Sequence, residues 1–227
     1  MRVLLICGDE WHPGQVPIDG MKPLEEKGVK IDSITDMSDF NPKVLVNYDV
    51  VVLCKEDHIS QTNHTSWQNE TVQKAFVEYV EKGGGLLAVH SGICPGSTTN
   101  TDTLDKLVGC RFVSHPNNCP VTFAPIKPHP VMDGVSLFVE TDEHYHIEIL
   151  TDDIDILAAS YAAAQGEESK YESEPYFNCP AHIAPSAYIR TQNKGRVCVL
   201  TPGHTLTVWM NPEFQRLLEN ALRWCAD

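Results

Sequence analysis

Lys82-Gly83-Gly84-Gly85-Leu86-Leu87-Ala88-Val89-His90-Ser91-Gly92 is the stretch that decides the fold. A glycine break, a short apolar run and then His-Ser-Gly read as a buried parallel strand ending at polar, reactive side chains. In open α/β sheets, ligands bind outside the carboxyl ends of such strands. A sharp turn after the strand is also where many α/β enzymes present a nucleophile. Here the strand delivers a histidine and a serine where a cysteine would be the familiar nucleophile.

The flanking sequence repeats the pattern. Arg2 to Cys7 is a buried strand leading into a loop, Gly8 to Gly14. Val16 to Lys27 carries Ile18, Met21 and Leu24 at helical spacing and is stopped by Gly28. Val29 to Ile34 and Tyr48 to Cys54 give two more strands, the latter a near-continuous apolar run typical of a central parallel strand. Ser66 to Lys82 is a helix with Val72, Ala75, Phe76, Tyr79 and Val80 on one face. Three strand–helix–strand units in succession predict a doubly wound sheet with right-handed crossovers.

After a short helix at Thr101 to Val108, the second half changes character. Val121 to Ile126, Glu140 to Leu150, Asp155 to Ser160, Ser186 to Thr191 and Arg196 to Leu200 read as strands, a mixed extension of the same sheet. Pro212 to Cys225 closes the chain as an amphipathic helix. Ala162 to Pro180, polar and without periodicity, is the expected mobile loop.

With 227 residues the chain can bury one substantial core without a second domain. Hydrophobic residues at 42% and charged residues at 21% are ordinary for a globular protein. A formal net charge of -14 argues against nucleic acid or an anionic membrane as partner. No apolar run is long enough to span a bilayer, and Gly8-Asp9-Glu10 cuts short the one at the N-terminus, so no signal peptide is expected. Of eight cysteines, Cys7, Cys54, Cys198 and Cys225 sit within apolar patterns, and no CxxC pair occurs. Reduced thiols and a cytoplasmic location are therefore expected.

Four segments carry candidate chemistry. Glu10, Trp11 and His12, in the loop after the first strand, can line a polar ligand pocket. That loop lacks the glycine spacing of a dinucleotide site, so no nucleotide cofactor is expected. His90 and Ser91 end the central strand. In Asp142-Glu143-His144-Tyr145-His146, strand alternation would point Asp142, His144 and His146 one way, a set suited to a divalent metal such as zinc or manganese. Glu143 and Tyr145 on the other face offer a proton-transfer group and a hydroxyl able to steady an oxyanion. His204, after the strand Arg196 to Leu200, would converge on His90. His115 is intermediate, and His58, His64, His129 and His182 read as surface or turn residues.

Glu10-Trp11-His12-Pro13-Gly14, the Gly83 to Gly92 stretch, His129-Pro130, Asp142 to His146, Val199 to Thr205 and Asn220 to Trp224 together resemble the ThuA-like (trehalose utilisation) family. The resemblance runs over residues 1–227 as a single domain. It implies a flavodoxin-like, class I glutamine amidotransferase-like sandwich: a mostly parallel sheet with helices on both faces. In amidotransferases a cysteine occupies the strand-to-helix elbow; matched here, His90 falls at that position and His204 near the partner histidine's. An imidazole cannot form the thioester that glutamine hydrolysis requires, so amidotransferase activity is not expected, and Cys94 lies past the elbow.

The resemblance also implies a place in the catabolism of trehalose, related disaccharides or keto-sugars. On that reading the protein is a lyase, hydrolase or isomerase in which Glu143 moves a proton, Tyr145 steadies the oxyanion and His90 and His204 complete the catalytic set. Glu10, Trp11, His12, Ser91 and His115 would bind the sugar, with a metal polarising a carbonyl or hydroxyl. The rivals are a non-catalytic sugar-binding or regulatory protein and a metal-dependent hydrolase of another substrate. A homodimer is the default expectation for assembly.

Overall fold

A computed structural model describes residues 1–94, 101–163 and 182–227. In chain order the elements are β1 (Arg2–Cys7), α1 (Gln15–Glu25), β2 (Lys30–Ile34), β3 (Val50–Cys54), α2 (Glu70–Glu81), β4 (Gly85–Val89), α3 (Asp102–Val108), β5 (Cys110–Ser114), β6 (Cys119–Pro125), β7 (Phe138–Asp142), β8 (His146–Ile149), β9 (Asp155–Ala162), β10 (His182–Gln192), β11 (Gly195–Leu200), α4 (Leu206–Met210) and α5 (Pro212–Ala226).

Among the described residues, nine strands form one sheet in the order β2-β1-β3-β4-β11-β10-β9-β6-β7. The first five run parallel, in the flavodoxin-like arrangement that places a switch point between β1 and β3. From β11 onward every pairing is antiparallel. The expected mixed extension is thus an antiparallel half grafted onto a parallel one. β5 and β8 pair separately in a two-stranded sheet.

β1, β3, β4 and β11 are buried on both faces, which explains their unbroken apolar runs, while β2 at the edge is largely exposed. Alternate residues feed two cores. Val3, Leu5, Val52, Leu87 and Cys198 pack with Leu24 of α1 and Phe214, Leu217 and Leu218 of α5. Leu4, Ile6, Val51, Leu86 and Val197 pack on the opposite face with Phe76 and Val80 of α2 and Leu104 and Leu107 of α3.

Helix limits follow local chemistry. α2 begins at Glu70, not Ser66, because Asn69 caps the N–H groups of Thr71 and Val72. The N–H groups of Trp67 and Gln68 are instead held by the buried carboxylate of Asp57, at 3.0 and 2.7 Å. α5 is capped by Asn211 and starts with Pro212, a residue whose fixed φ suits the first helical position.

One strand expectation fails. The single strand expected from Glu140 to Leu150 is two, β7 and β8, in different sheets. The reason is that Asp142 turns its carboxylate onto the backbone N–H groups of Gly203 and His204, both at 2.9 Å, and the chain leaves the sheet there. β5 and α4 were not anticipated. The loop expected at Ala162 to Pro180 falls, from residue 164 on, outside the described residues.

Candidate active site

The parallel register aligns Leu200 of β11 with Val89 of β4, so His90 and the Thr201 to His204 turn emerge side by side. The loops after β1 and β3 open onto the same end of the sheet, and the residues between β7 and β8 fold over it.

The turn after β4 is tight. His90 adopts a left-handed φ of 47°, a conformation that costs a non-glycine residue energy and persists only when its surroundings impose it. A Cβ on Gly92 would overlap the carbonyl oxygen of Leu53, so glycine is required for the chain to pass β3. His90 itself is fully buried. Its ring stacks on Tyr145 at 4.0 Å between centroids.

Glu143 is the hub. Its Oε2 lies 3.1 Å from His90 Nε2 and 3.2 Å from His204 Nδ1, and its Oε1 lies 3.7 Å from His115 Nε2. Burial opposes its ionisation, but the contacts with His204 and His90 outweigh that and hold the carboxyl far below the usual carboxylate range. For His204 burial is again outweighed, and Glu143 raises the ring above its ordinary value. Burial wins at His90 and lowers it.

Tautomers follow from the outer partners. His90 Nδ1 sits 2.8 Å from the carbonyl oxygen of Thr201, which can only accept. The proton is therefore on Nδ1, and Nε2 faces the Glu143 carboxylate. His12 Nδ1 sits 2.7 Å from Asp9 Oδ1, so His12 turns Nε2 inward, 3.4 Å from the Tyr145 hydroxyl. One ligand atom from each of His12, His90, Glu143 and His204 lies within 4.8 Å of the other three.

His12, expected among the sugar contacts, is brought beside His90, Glu143 and His204. Asp142, expected beside His144 and His146 as a metal ligand, is not with them, because its carboxylate is engaged at Gly203 and His204. The alternation argument does not apply, since residues 143–145 lie between strands. His182, read as surface or turn, takes its place: His144, His146 and His182 form a second cluster. His58 is buried, stacked against His64. Ser91 is not brought to the cleft. It is fully buried and its hydroxyl turns to Cys54 Sγ at 3.9 Å. Trp11 is 63% exposed at the mouth, where a ring can stack on a ligand, and Glu10 beside it is paired with His64.

Three groups escaped the sequence reading. Asp9 is fully buried; the His12 contact and backbone N–H groups of Glu56 and Trp11 outweigh burial and lower its carboxyl. Lys55 is buried with its ammonium on the carbonyl oxygen of Gly8, and burial lowers it. Glu56 is pushed up to about 7 by burial and by the neighbouring Asp9, the range in which a carboxyl can exchange protons at neutral pH. The available signal was position: Lys55 and Glu56 directly follow the apolar strand ending at Cys54.

A model of the ThuA family, described as trehalose utilisation, matches residues 2–225. The chain belongs to that family. Membership of the ThuA family carries a role related to trehalose utilisation. No curated protein matches the chain by sequence. Among solved structures, a ThuA-like protein from Bacteroides uniformis is 20% identical with a TM-score of 0.75, over 99% of this chain and 91% of that one. A ThuA-like protein from Parabacteroides merdae is 19% identical with a TM-score of 0.71, over 100% and 90%. A cytoplasmic protein from Salmonella typhimurium is 18% identical with a TM-score of 0.61, over 99% of both. At these identities the likeness is one of fold. Among the described residues, no helix is long and apolar enough to cross a membrane.

Proposed function

We propose that this ThuA-family protein is a cytoplasmic enzyme that processes a trehalose-type disaccharide or its keto derivative by proton transfer. The reaction centre is His12, His90, Glu143 and His204, and these four side chains hold a divalent cation such as zinc or manganese. One observation carries the reading. His90, its Nδ1 proton committed to Thr201, turns an Nε2 lone pair toward a carboxylate that stays ionised. Two acceptors 3.1 Å apart need a proton or a cation between them. Burial disfavours the protonated ring at His90, and three imidazoles with one carboxylate are a donor set suited to zinc.

The outer partners fit the same reading. Asp9 on His12 and Thr201 on His90 fix ring orientation in the way that outer hydrogen bonds orient metal-binding histidines. A bound cation would polarise a sugar carbonyl or hydroxyl. The chain's own groups supply the rest. Glu56, beside Asp9 and His12, holds or releases a proton near neutral pH. Burial keeps the Tyr145 phenol well above its ordinary pKa, so its hydroxyl remains a donor able to steady a developing oxyanion. Trp11 offers a face for a sugar ring.

The test is incubation of the zinc- or manganese-loaded protein with trehalose and with keto-trehalose, followed by mass spectrometry. A new product that disappears in Glu143→Gln supports the reading. Thermal stabilisation by sugar without turnover would overturn it in favour of a sugar-binding role.

A further inference from the structure

A second group of imidazoles lies outside the Glu143 centre. His144 leaves β7, His146 opens β8 and His182 opens β10. Ring centroids are 4.1 Å apart for His146 and His182, 5.2 Å for His144 and His146, and 5.8 Å for His144 and His182. One ligand nitrogen from each lies within 4.8 Å of the other two.

Packing alone does not account for this. His144 is only 1% exposed. Its Nε2 meets Ser160 Oγ at 3.0 Å, yet its Nδ1 is buried with no hydrogen-bond partner among the described residues, and so is Nδ1 of His182. A buried polar atom left without a partner costs about 1–3 kcal/mol, and each such atom in a native structure calls for a reason. Two of them within a cluster of three rings share one: a ligand that accepts lone pairs.

We propose that His144, His146 and His182 form a second cation site, selective for divalent ions that prefer imidazole, such as zinc, nickel or copper, over magnesium or calcium. Outer hydroxyls hold two of the rings from behind: Ser160 on His144, and Ser114, whose Oγ lies 3.3 Å from His146 Nδ1. Such contacts are the usual orienting device around metal-binding histidines. Three imidazoles leave a fourth tetrahedral position for water or an added ligand. The site joins the small sheet, through β8, to the large sheet, through β10. A bound ion therefore clamps two separately paired units, and its removal is expected to lower thermal stability. The site does not depend on the Glu143 centre holding an ion.

The experiment uses the full chain, stripped by chelator and titrated with zinc and with cobalt(II), reading stoichiometry, melting temperature and the visible cobalt spectrum. The variants are His182→Gln and His146→Gln, which spare the fully buried His144. Each is expected to lose one equivalent of ion, with affinity falling about 100-fold or more, and to lose the stabilisation that ion confers. Glu143→Gln should keep that equivalent and its tetrahedral cobalt bands. If the Glu143 centre holds no ion, wild type binds one equivalent and His182→Gln binds none. The proposal is overturned if both histidine variants retain wild-type stoichiometry and cobalt spectrum, or if the only equivalent bound is the one Glu143→Gln removes.

Discussion

Asp9 Oδ1 lies 2.7 Å from Nδ1 of His12, and the same carboxylate accepts backbone N–H groups from Trp11, His12 and Glu56. One buried acid thus ties the loop after β1 to the loop after β3 and sets which nitrogen His12 turns toward Glu143. Asp9→Asn keeps the shape but loses the charge and one acceptor. Zinc affinity at the Glu143 centre is expected to fall about 10- to 100-fold, as for other outer partners of metal-binding histidines. Calorimetric titration of the stripped variant checks it; unchanged affinity would mean that His12 lies outside the centre.

Glu143 is the one anionic group among the four side chains at that centre. Glu143→Gln preserves volume and leaves three imidazoles with no charge to balance a dication. Cation affinity should drop by at least about 100-fold, and any sugar turnover should fall by about 10²–10⁴. Full retention of both would remove Glu143 from the mechanism.

The parallel half of the fold was legible because its central strands are buried on both faces, so unbroken apolar runs such as Val50 to Cys54 identify themselves. The imidazole centre was partly legible for the same reason: His90 and His204 stand where apolar runs stop. What sequence could not show is set by contacts between distant segments. Asp142 looks like a ligand in a row of alternating residues, until its carboxylate finds two N–H groups some sixty residues away. His182 looks isolated until β10 pairs with β9. Ser91 sits next to His90 in sequence, but the left-handed turn sends it inward to Cys54.

The ion pair of Asp153 with Arg190 gives a stability signal separate from the cleft. Arg190 is buried, its guanidinium bonded to Asp153 at 2.8 and 3.0 Å and to the carbonyls of Lys106 and Leu107. The Arg190 hydrogen bond is the main cause that lowers Asp153 to about 2, from 3.8 when unpaired. A folded pKa below the unfolded one means the stabilisation is fully present above pH 4–5 and fades as pH falls toward 2. Asp153 is 46% exposed on its side chain, so solvent screening limits its share to about 1 kcal/mol or less. Asp153→Asn should be less stable than wild type by that amount at pH 7, with the gap closing as pH drops to 3. Urea unfolding across this range measures it, and a gap independent of pH would refute the linkage.

Thiol chemistry at the described cysteines should be silent in the native state. Seven cysteines among the described residues are unbridged, six of them buried. Burial pushes Cys7 and Cys110 up to about 12 and raises Cys54, Cys94 and Cys225 well above the ordinary thiol value. Thiolate is the reactive form, so brief iodoacetamide treatment at neutral pH should leave all seven unmodified by mass spectrometry, while denatured protein is labelled at each. Cys94 is the informative one, because its Sγ lies 3.6 Å from the Tyr145 hydroxyl. Rapid alkylation there would reveal a thiolate and reopen a cysteine-based mechanism.

The elbow itself can be tested through Gly92. Its backbone passes so close to Leu53 that a single methyl group would meet the carbonyl oxygen of that residue in β3. Neither partner is a side chain able to swing aside: one is strand backbone, the other a turn fixed between β4 and the His90 contacts. Gly92→Ala must therefore push β3 and the turn apart, and crowding of this kind costs about 1–3 kcal/mol. The displacement falls on His90, whose Nδ1 bond to Thr201 and Nε2 contact with Glu143 both depend on the turn's position. Gly92→Ala is expected to lower the melting temperature and also to weaken zinc binding at the Glu143 centre, while binding at His144, His146 and His182 persists. Equal loss at both clusters would indicate general unfolding, and no loss at either would mean that the His90 turn does not depend on the glycine.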